Sequence, residues 1–407
     1  MIRSEFPFRL PLVLDGSTGI SLYRRGMPQG VCVEQWVAEH PDVLRALQQA
    51  FFDAGSDAVY APTFGANRPK LSHYGLEGET VRLNETLAAL SRQTAGDRLV
   101  GGDMTTTGLF IEPAGDSTFD ELLDAYREQA DALARAGADF LIAETMMNLC
   151  EMRAAVLAGR ETGLPVFVSA TVDEHGRTLS GASGPACYTA VRALGAAAFG
   201  FNCSFGPEGM LARIEELAPY ADIPLIAKPN AGMPCEDHPF CYDLSPEAMG
   251  AAMDRLLEAG ARIVGGCCGA LPEYVAAIRA AVDRFDPGTP VPAGNIDRVL
   301  SNEREVFRLT GEESVSEEIA VDEDLADSLM DCEEDIAAVR LESPEDADEL
   351  ARNLPFWRGP VCLCADSGDA LARGLLLYQG RPLVRSDCPA CAELCEQYGA
   401  LPEQDVF

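Results

Sequence analysis

Eight short apolar runs, each ending on a small or polar residue, occupy the first three-quarters of this chain. They lie at 12–15, 58–63, 99–103, 140–144, 166–171, 198–203, 225–230 and 263–268. Runs this short read as buried strands. Between many of them the periodicity changes to that of an amphipathic helix. The stretch 42–54 places Val43, Leu47 and Phe51 on one face with Leu44 beside them, and 119–136 does the same with Leu122, Tyr126, Ala130 and Leu133. Eight strands alternating with helices predict an α/β fold, a (β/α)8 TIM barrel over residues 1–286.

A barrel also decides where chemistry collects, because functional groups sit at the C-terminal ends of the strands and on the loops that follow. Asp15, Thr63, Asp103, Glu144, Thr171, Cys203, Asn230, Cys267 and Cys268 all fall there. Asp, Asn and Thr are favoured in such loops for capping alone, and that reading is preferred for Asp103 and Thr171. The cysteines are a different case. Gly265-Gly266-Cys267-Cys268-Gly269 follows Ile263-Val264 and opens onto Pro272, which reads as strand, tight turn and helix. Adjacent cysteines cannot face one side of a regular strand, since successive side chains alternate. The flanking glycines let the backbone bend so that both sulfurs converge. With Cys203 at the end of its own run, three thiolates and one open position describe a catalytic zinc site. The competing reading is that these are buried cysteines behaving as small hydrophobes.

The chain has 407 residues, more than one average domain, and 47% of them are hydrophobic, ample for a core. A formal charge of −34, with only Lys70 and Lys228 as lysines, argues against nucleic acid or an anionic membrane as partner. Solubility or a saline habitat accounts for the acidity. No signal peptide is evident, and no apolar run reaches membrane-spanning length. Fourteen cysteines without an export signal point to a reducing cytoplasm, where thiols serve metals or packing.

Asn202-Cys203-Ser204 followed by the Gly-Gly-Cys-Cys-Gly stretch resembles the homocysteine S-methyltransferase family, and most of all the homocysteine-binding module of cobalamin-dependent methionine synthase. Supporting motifs stand in the family's order: Asp15-Gly16-Ser17-Thr18-Gly19, Thr63-Phe64-Gly65-Ala66-Asn67, Ala143-Glu144-Thr145 and Pro229-Asn230-Ala231-Gly232. The resemblance covers roughly residues 12–286.

It implies a zinc-dependent transfer of a methyl group to the thiol of homocysteine, giving methionine, with zinc on Cys203, Cys267 and Cys268. A coordinated thiol loses its proton, which supplies the nucleophile. It further implies that Asp15 and Glu144 accept hydrogen bonds from the substrate ammonium, and that backbone groups near Thr63-Phe64-Gly65 meet its carboxylate. The plain alternative for Glu144 is an ion pair tying strand four to its neighbours. Asn67 and Asn230 read as loop stabilisers, and Lys228, on the same strand face as Asn230, as a pairing lysine.

The donor is less determined. Asp173-Glu174-His175 is a chance match to the corrinoid motif, since it lacks the motif's final glycine. The expectation is methylcobalamin held on a separate corrinoid protein. Alternatives are a cobalamin-independent homocysteine or selenocysteine methyltransferase using S-methylmethionine, S-adenosylmethionine or a betaine. Two others are a non-catalytic zinc-binding subunit of a methyltransferase complex, and a redox role through a Cys267–Cys268 disulfide.

After the barrel, residues 287–311 read as a linker whose turn-rich part spans 286–294. Residues 312–407 read as a small acidic α/β appendage, with strands at 336–341 and 361–365 and helices at 346–353 and 369–377. Its sequence faintly resembles part of a folate-binding barrel, but half a barrel has open edges, so a docking or structural role is expected. Cys388, Cys391 and Cys395 have metal-ligand spacing; incidental cysteines are the preferred reading.

Overall fold

Each of the eight apolar runs forms a strand in the computed structural model, which describes residues 6–235, 238–286, 288 and 294–407. The strands are β1 (Leu12–Val13), β2 (Ala58–Ala61), β3 (Leu99–Met104), β4 (Phe140–Met146), β5 (Val166–Ala170), β6 (Ala198–Asn202), β7 (Leu225–Lys228) and β8 (Ala261–Val264). They build one parallel sheet in the order β1-β8-β7-β6-β5-β4-β3-β2. Its two ends meet where β1 lies beside β2. There the Asp57 N–H donates to the Val13 carbonyl at 2.7 Å, and the Asp57 carboxylate accepts from the Val13 N–H at 2.8 Å. The Asp15 carboxylate accepts from the Tyr60 N–H at 2.8 Å, standing in for a ladder bond. A TIM barrel results.

Strand alternation sorts the interior into layers. Leu12, Leu14, Ala58, Tyr60, Phe140, Ile142, Phe167, Ala198, Ile226 and Ile263 form the apolar filling of the barrel. Phe6 and Phe8 close it from below, with ring centroids 5.6 Å from Phe167 and 5.8 Å from Phe140, respectively. Further toward the C-terminal ends of the strands, on the same inward face, come Asp103, Glu144, Ser169, Asn202 and Lys228. The interior therefore turns polar at the C-terminal end.

The surrounding helices bury their expected faces. In Pro41–Asp53 these are Leu44, Leu47 and Phe51, with Gln48 and Phe52 rather than Val43 completing the buried set. In Phe119–Arg135 they include Leu122, Tyr126, Ala130 and Leu133, and a Thr118/Glu121 capping box starts that helix. No helix among the described residues is long and apolar enough to cross a membrane.

Most of the turn-rich 286–294 segment lies outside the described residues. Beyond it, Val299–Ser301 and Val306–Arg308 form an antiparallel hairpin. A second parallel sheet follows, with β9 (Ile319–Ala320), β10 (Ala337–Arg340), β11 (Val361–Cys364), β12 (Leu383–Arg385) and β13 (Leu401–Pro402) in sequential order. Helices Pro344–Asn353, Gly368–Leu377 and Cys391–Tyr398 connect its last four strands. The apolar core of the barrel continues into this part without a break.

Arg153 locks the two together. It is the largest fully buried side chain and comes from the helix Leu149–Glu161 after β4. Its guanidinium donates to the Leu376 and Leu375 carbonyls at 3.0 and 2.9 Å, capping the C-terminus of the helix Gly368–Leu377. Arg153→Ala leaves a cavity and two buried carbonyls without donors. A loss of about 2–4 kcal/mol in denaturant unfolding is expected, and unchanged stability would contradict this role for Arg153.

Candidate active site

The three cysteines of the two separate motifs converge. The Sγ atoms of Cys203, Cys267 and Cys268 all lie within 4.8 Å of one another, and this is the metal-compatible cluster found among the described residues. Cys203 and Cys268 are 3.8 Å apart. Tetrahedral zinc with sulfur at ~2.3 Å places its ligands ~3.8 Å from each other, so the cluster has the dimensions the ion requires. All fourteen cysteines are free thiols, Cys267 and Cys268 included. In the tail, Cys391 and Cys395 are 3.9 Å apart, but Cys388 does not complete a three-sulfur cluster with them.

The backbone bends that bring the sulfurs together are visible. Cys203 and Ser204 both adopt left-handed backbone, φ 60° and 59°, uncommon outside glycine. The Ser204 hydroxyl secures that bend by bonding the Thr171 hydroxyl and accepting from the Val172 N–H at 3.1 Å. Gly269 at φ 80° ends the other turn, and the Tyr242 ring lies where a Cβ would project. Gly266 is required by close packing, since a Cβ there would stand 2.1 Å from that of Ala270.

Two asparagines hold the cysteines. Asn230 accepts from the Cys268 N–H at 3.1 Å. Asn202, whose motif position gives no hint of a task, is a junction. It accepts from the Thr145 N–H and the Ser169 hydroxyl, each at 2.8 Å, and donates to Cys267 Sγ at 3.6 Å. Thr145, next to Glu144, is the third non-glycine residue with positive φ, at 58°. Hydrogen bonds from Cys267 and Cys268 pull the Cys203 thiol down to about 3, while sharing with Cys203 pushes Cys268 far up. The cluster thus favours a thiolate even before a cation arrives.

Beneath the sulfurs lies the charged layer. Lys228 is 2% exposed, and its ammonium is 2.8 Å from Glu144 and 3.9 Å from the centre of the Tyr60 ring. Burial works against the ammonium, yet Glu144, Tyr60 and Asp15 outweigh it and raise Lys228 well above its ordinary range. The pair spans the barrel from β4 to β7. Asp103 does not cap a loop: it is 5% exposed and points inward, with Oδ1 lacking a hydrogen-bond partner. Thr63 is fully buried, and its hydroxyl donates to the Asp103 carbonyl at 2.7 Å. The Gly65 N–H beside it donates to Glu34 at 2.7 Å. Asn67 caps the helix Arg68–Ser72 by accepting from the Lys70 N–H at 3.0 Å.

An eight-stranded parallel barrel with three thiols converging over buried carboxylates has the architecture of thiol-binding barrel methyltransferases. The chain belongs to the homocysteine S-methyltransferase family, which it matches over residues 12–282. It is 34% identical over 278 residues to the methionine synthase of Mycobacterium leprae, a match covering 65% of this chain and 23% of that protein. The methionine synthase of Mycobacterium tuberculosis is 34% identical over 292 residues, covering 67% and 24%. The chain spans about a quarter of the length of these curated relatives. Among solved structures, the metallated form of the homocysteine methyltransferase MmuM from Escherichia coli superposes with a TM-score of 0.56 at 23% identity, covering 66% of this chain and 95% of that one. At that identity the likeness is one of fold.

The seam carboxylate yields a pH test. Burial pushes Asp15 from its ordinary 3.8 up to about 6, against the pull of Lys228. Between those values the folded protein holds a proton that the unfolded chain has released. Asp15's contribution is therefore full below about 3.8 and lost as pH rises through about 6. In metal-free protein, Asp15→Asn should flatten this slope and gain on the order of 3 kcal/mol over the parent at pH 7, read from denaturant unfolding between pH 4 and pH 8. An unchanged slope would contradict it.

Proposed function

We propose that the protein methylates the thiol of homocysteine to give methionine, with zinc held by Cys203, Cys267 and Cys268. The observation that carries this reading is the convergence of three thiols within 4.8 Å directly above a layer of buried carboxylates. Bound there, the ion would keep the substrate sulfur as a thiolate near neutral pH. The chain's own residues do the rest. Asn202 and Asn230 orient the cysteines. Asp15 and Glu144 accept hydrogen bonds from the substrate ammonium and fix the sulfur in position for in-line attack. The S–C bond forms as the bond from the methyl carbon to the donor breaks, and the donor's leaving group keeps the electron pair.

A methylcorrinoid on a separate protein is the proposed donor. Phe64, Phe110, Met147, Leu179 and Met233 are five of the nine exposed large hydrophobic side chains among the described residues. All five lie on loops that follow barrel strands, so they ring the mouth above the thiols. An apolar rim of that kind suits a large docked partner better than a small charged sulfonium or betaine. The open five-stranded sheet of the tail is assigned a structural or docking role and not a folate site.

Protein purified under reducing conditions should carry one zinc per chain. Replacing Cys203, Cys267 or Cys268 with alanine should remove most of the metal and essentially all methionine formation. Full zinc content in a Cys203→Ala/Cys268→Ala double variant would sink the metal assignment. A donor panel separates the remaining readings: turnover with S-methylmethionine and none with free or protein-bound methylcobalamin moves the chain to the cobalamin-independent branch.

A further inference from the structure

Three carboxylates share the charged layer with a single lysine, and they are not equivalent. Glu144 has its charge matched by Lys228 at 2.8 Å. Asp15 is engaged at the barrel seam, accepting from the Tyr60 N–H at 2.8 Å. Asp103 has neither arrangement, and its Oδ1 is buried without a hydrogen-bond partner among the described residues. A buried, unmatched acceptor of this kind costs stability unless something binds it. The Tyr60 hydroxyl, on the inward face of β2, is likewise buried and unpartnered.

Asp103 is also well placed. Gly101 and Asp103 share the inward face of β3, and a Cβ on Gly101 would meet the Phe140 and Tyr60 rings that fill the barrel. Asp103 is therefore one layer above that filling, on the strand between those carrying Tyr60 and Glu144. The charges of Glu144, Lys228, Asp15 and Cys267 all act on it. Asn202 bonds both Cys267 Sγ at 3.6 Å and the N–H of Thr145, next to Glu144, at 2.8 Å, so the thiol cluster adjoins this layer. A ligand satisfying this layer presents a cation to Asp103 while its sulfur reaches the cysteines.

We infer that Asp103 is a substrate-binding residue that accepts a hydrogen bond from the ammonium group of the amino-acid thiol and sets the preference for substrates carrying that group. This deepens the proposed methyl transfer to homocysteine and rests on it. Glu144, already matched by Lys228, adds less discrimination than Asp103, whose buried Oδ1 has no partner until the ammonium arrives. Before binding, burial and the neighbouring Glu144 favour the protonated Asp103 carboxyl, and the arriving ammonium favours its carboxylate, the proton leaving to solvent.

The test is calorimetric titration of the zinc-loaded full chain with L-homocysteine and with 4-sulfanylbutanoate, the same thiol acid without the amino group. Asp103→Asn keeps the shape and removes the charge. It should weaken homocysteine binding on the order of 10- to 100-fold, leave 4-sulfanylbutanoate within about twofold, and leave zinc content unchanged. Should Asp103→Asn not fold, Asp103→Ser is read the same way. Wild-type affinity for homocysteine in the variant, or equal losses for both thiols, overturns the assignment while leaving the methyltransferase reading in place. Failure of the parent protein to bind either thiol overturns that reading, and this inference falls with it.

Discussion

The ion pair between Lys228 and Glu144 is the interaction on which the upper half of the barrel depends. Two charges buried this deeply are costly, and breaking such a pair by removing one partner costs several kcal/mol. At 2.8 Å, with the Tyr60 ring against the ammonium, the pair lets a barrel interior carry charge where its lower half is wholly apolar. It also joins β4 to β7, three strands apart around the barrel. The two neighbouring acids, Asp15 and Asp103, are tolerated beside that lysine, and the layer as a whole is primed for a cation.

Above it the thiols are held by a different device. Backbone in sparsely populated conformations at Thr145, Cys203 and Ser204 is fixed by side-chain hydrogen bonds from Asn202, Ser204 and Thr171. Strain of this kind persists only where surrounding contacts over-determine it. Asn202 is the common member, touching the turn after Glu144 and Cys267 together. The cysteine turn and the turn after Glu144 are thereby built as one unit.

Much of this was legible in the chain itself. Eight apolar runs specified eight strands, because a barrel strand buried on both faces leaves an uninterrupted hydrophobic signature. The cysteine motifs specified which sulfurs meet, since few arrangements besides a metal site demand adjacent cysteines on a glycine-flanked turn. Alternation put Lys228 on the strand face of Asn230, and reading it as a pairing lysine agrees with its contact to Glu144. What periodicity cannot give is the partner of an inward side chain. Asp103 ends an apolar run as a capping residue would, and only the closed barrel shows its carboxylate buried with no backbone N–H to cap. The task of Asn202 was hidden likewise, because its partners Thr145, Ser169 and Cys267 come from three other strands or loops. In the tail, β9, β12 and β13 have two or three residues each, too few to register as a pattern.

The most direct test of the account is zinc X-ray absorption on the reduced 407-residue chain, with and without homocysteine. Three cysteine ligands and one lighter ligand are expected in the free protein, with sulfur at ~2.3 Å. Adding homocysteine should raise the sulfur count from three to four as the substrate thiolate takes the open position. A sulfur count that stays at three with saturating homocysteine would contradict the claim that these cysteines hold the ion that activates the substrate.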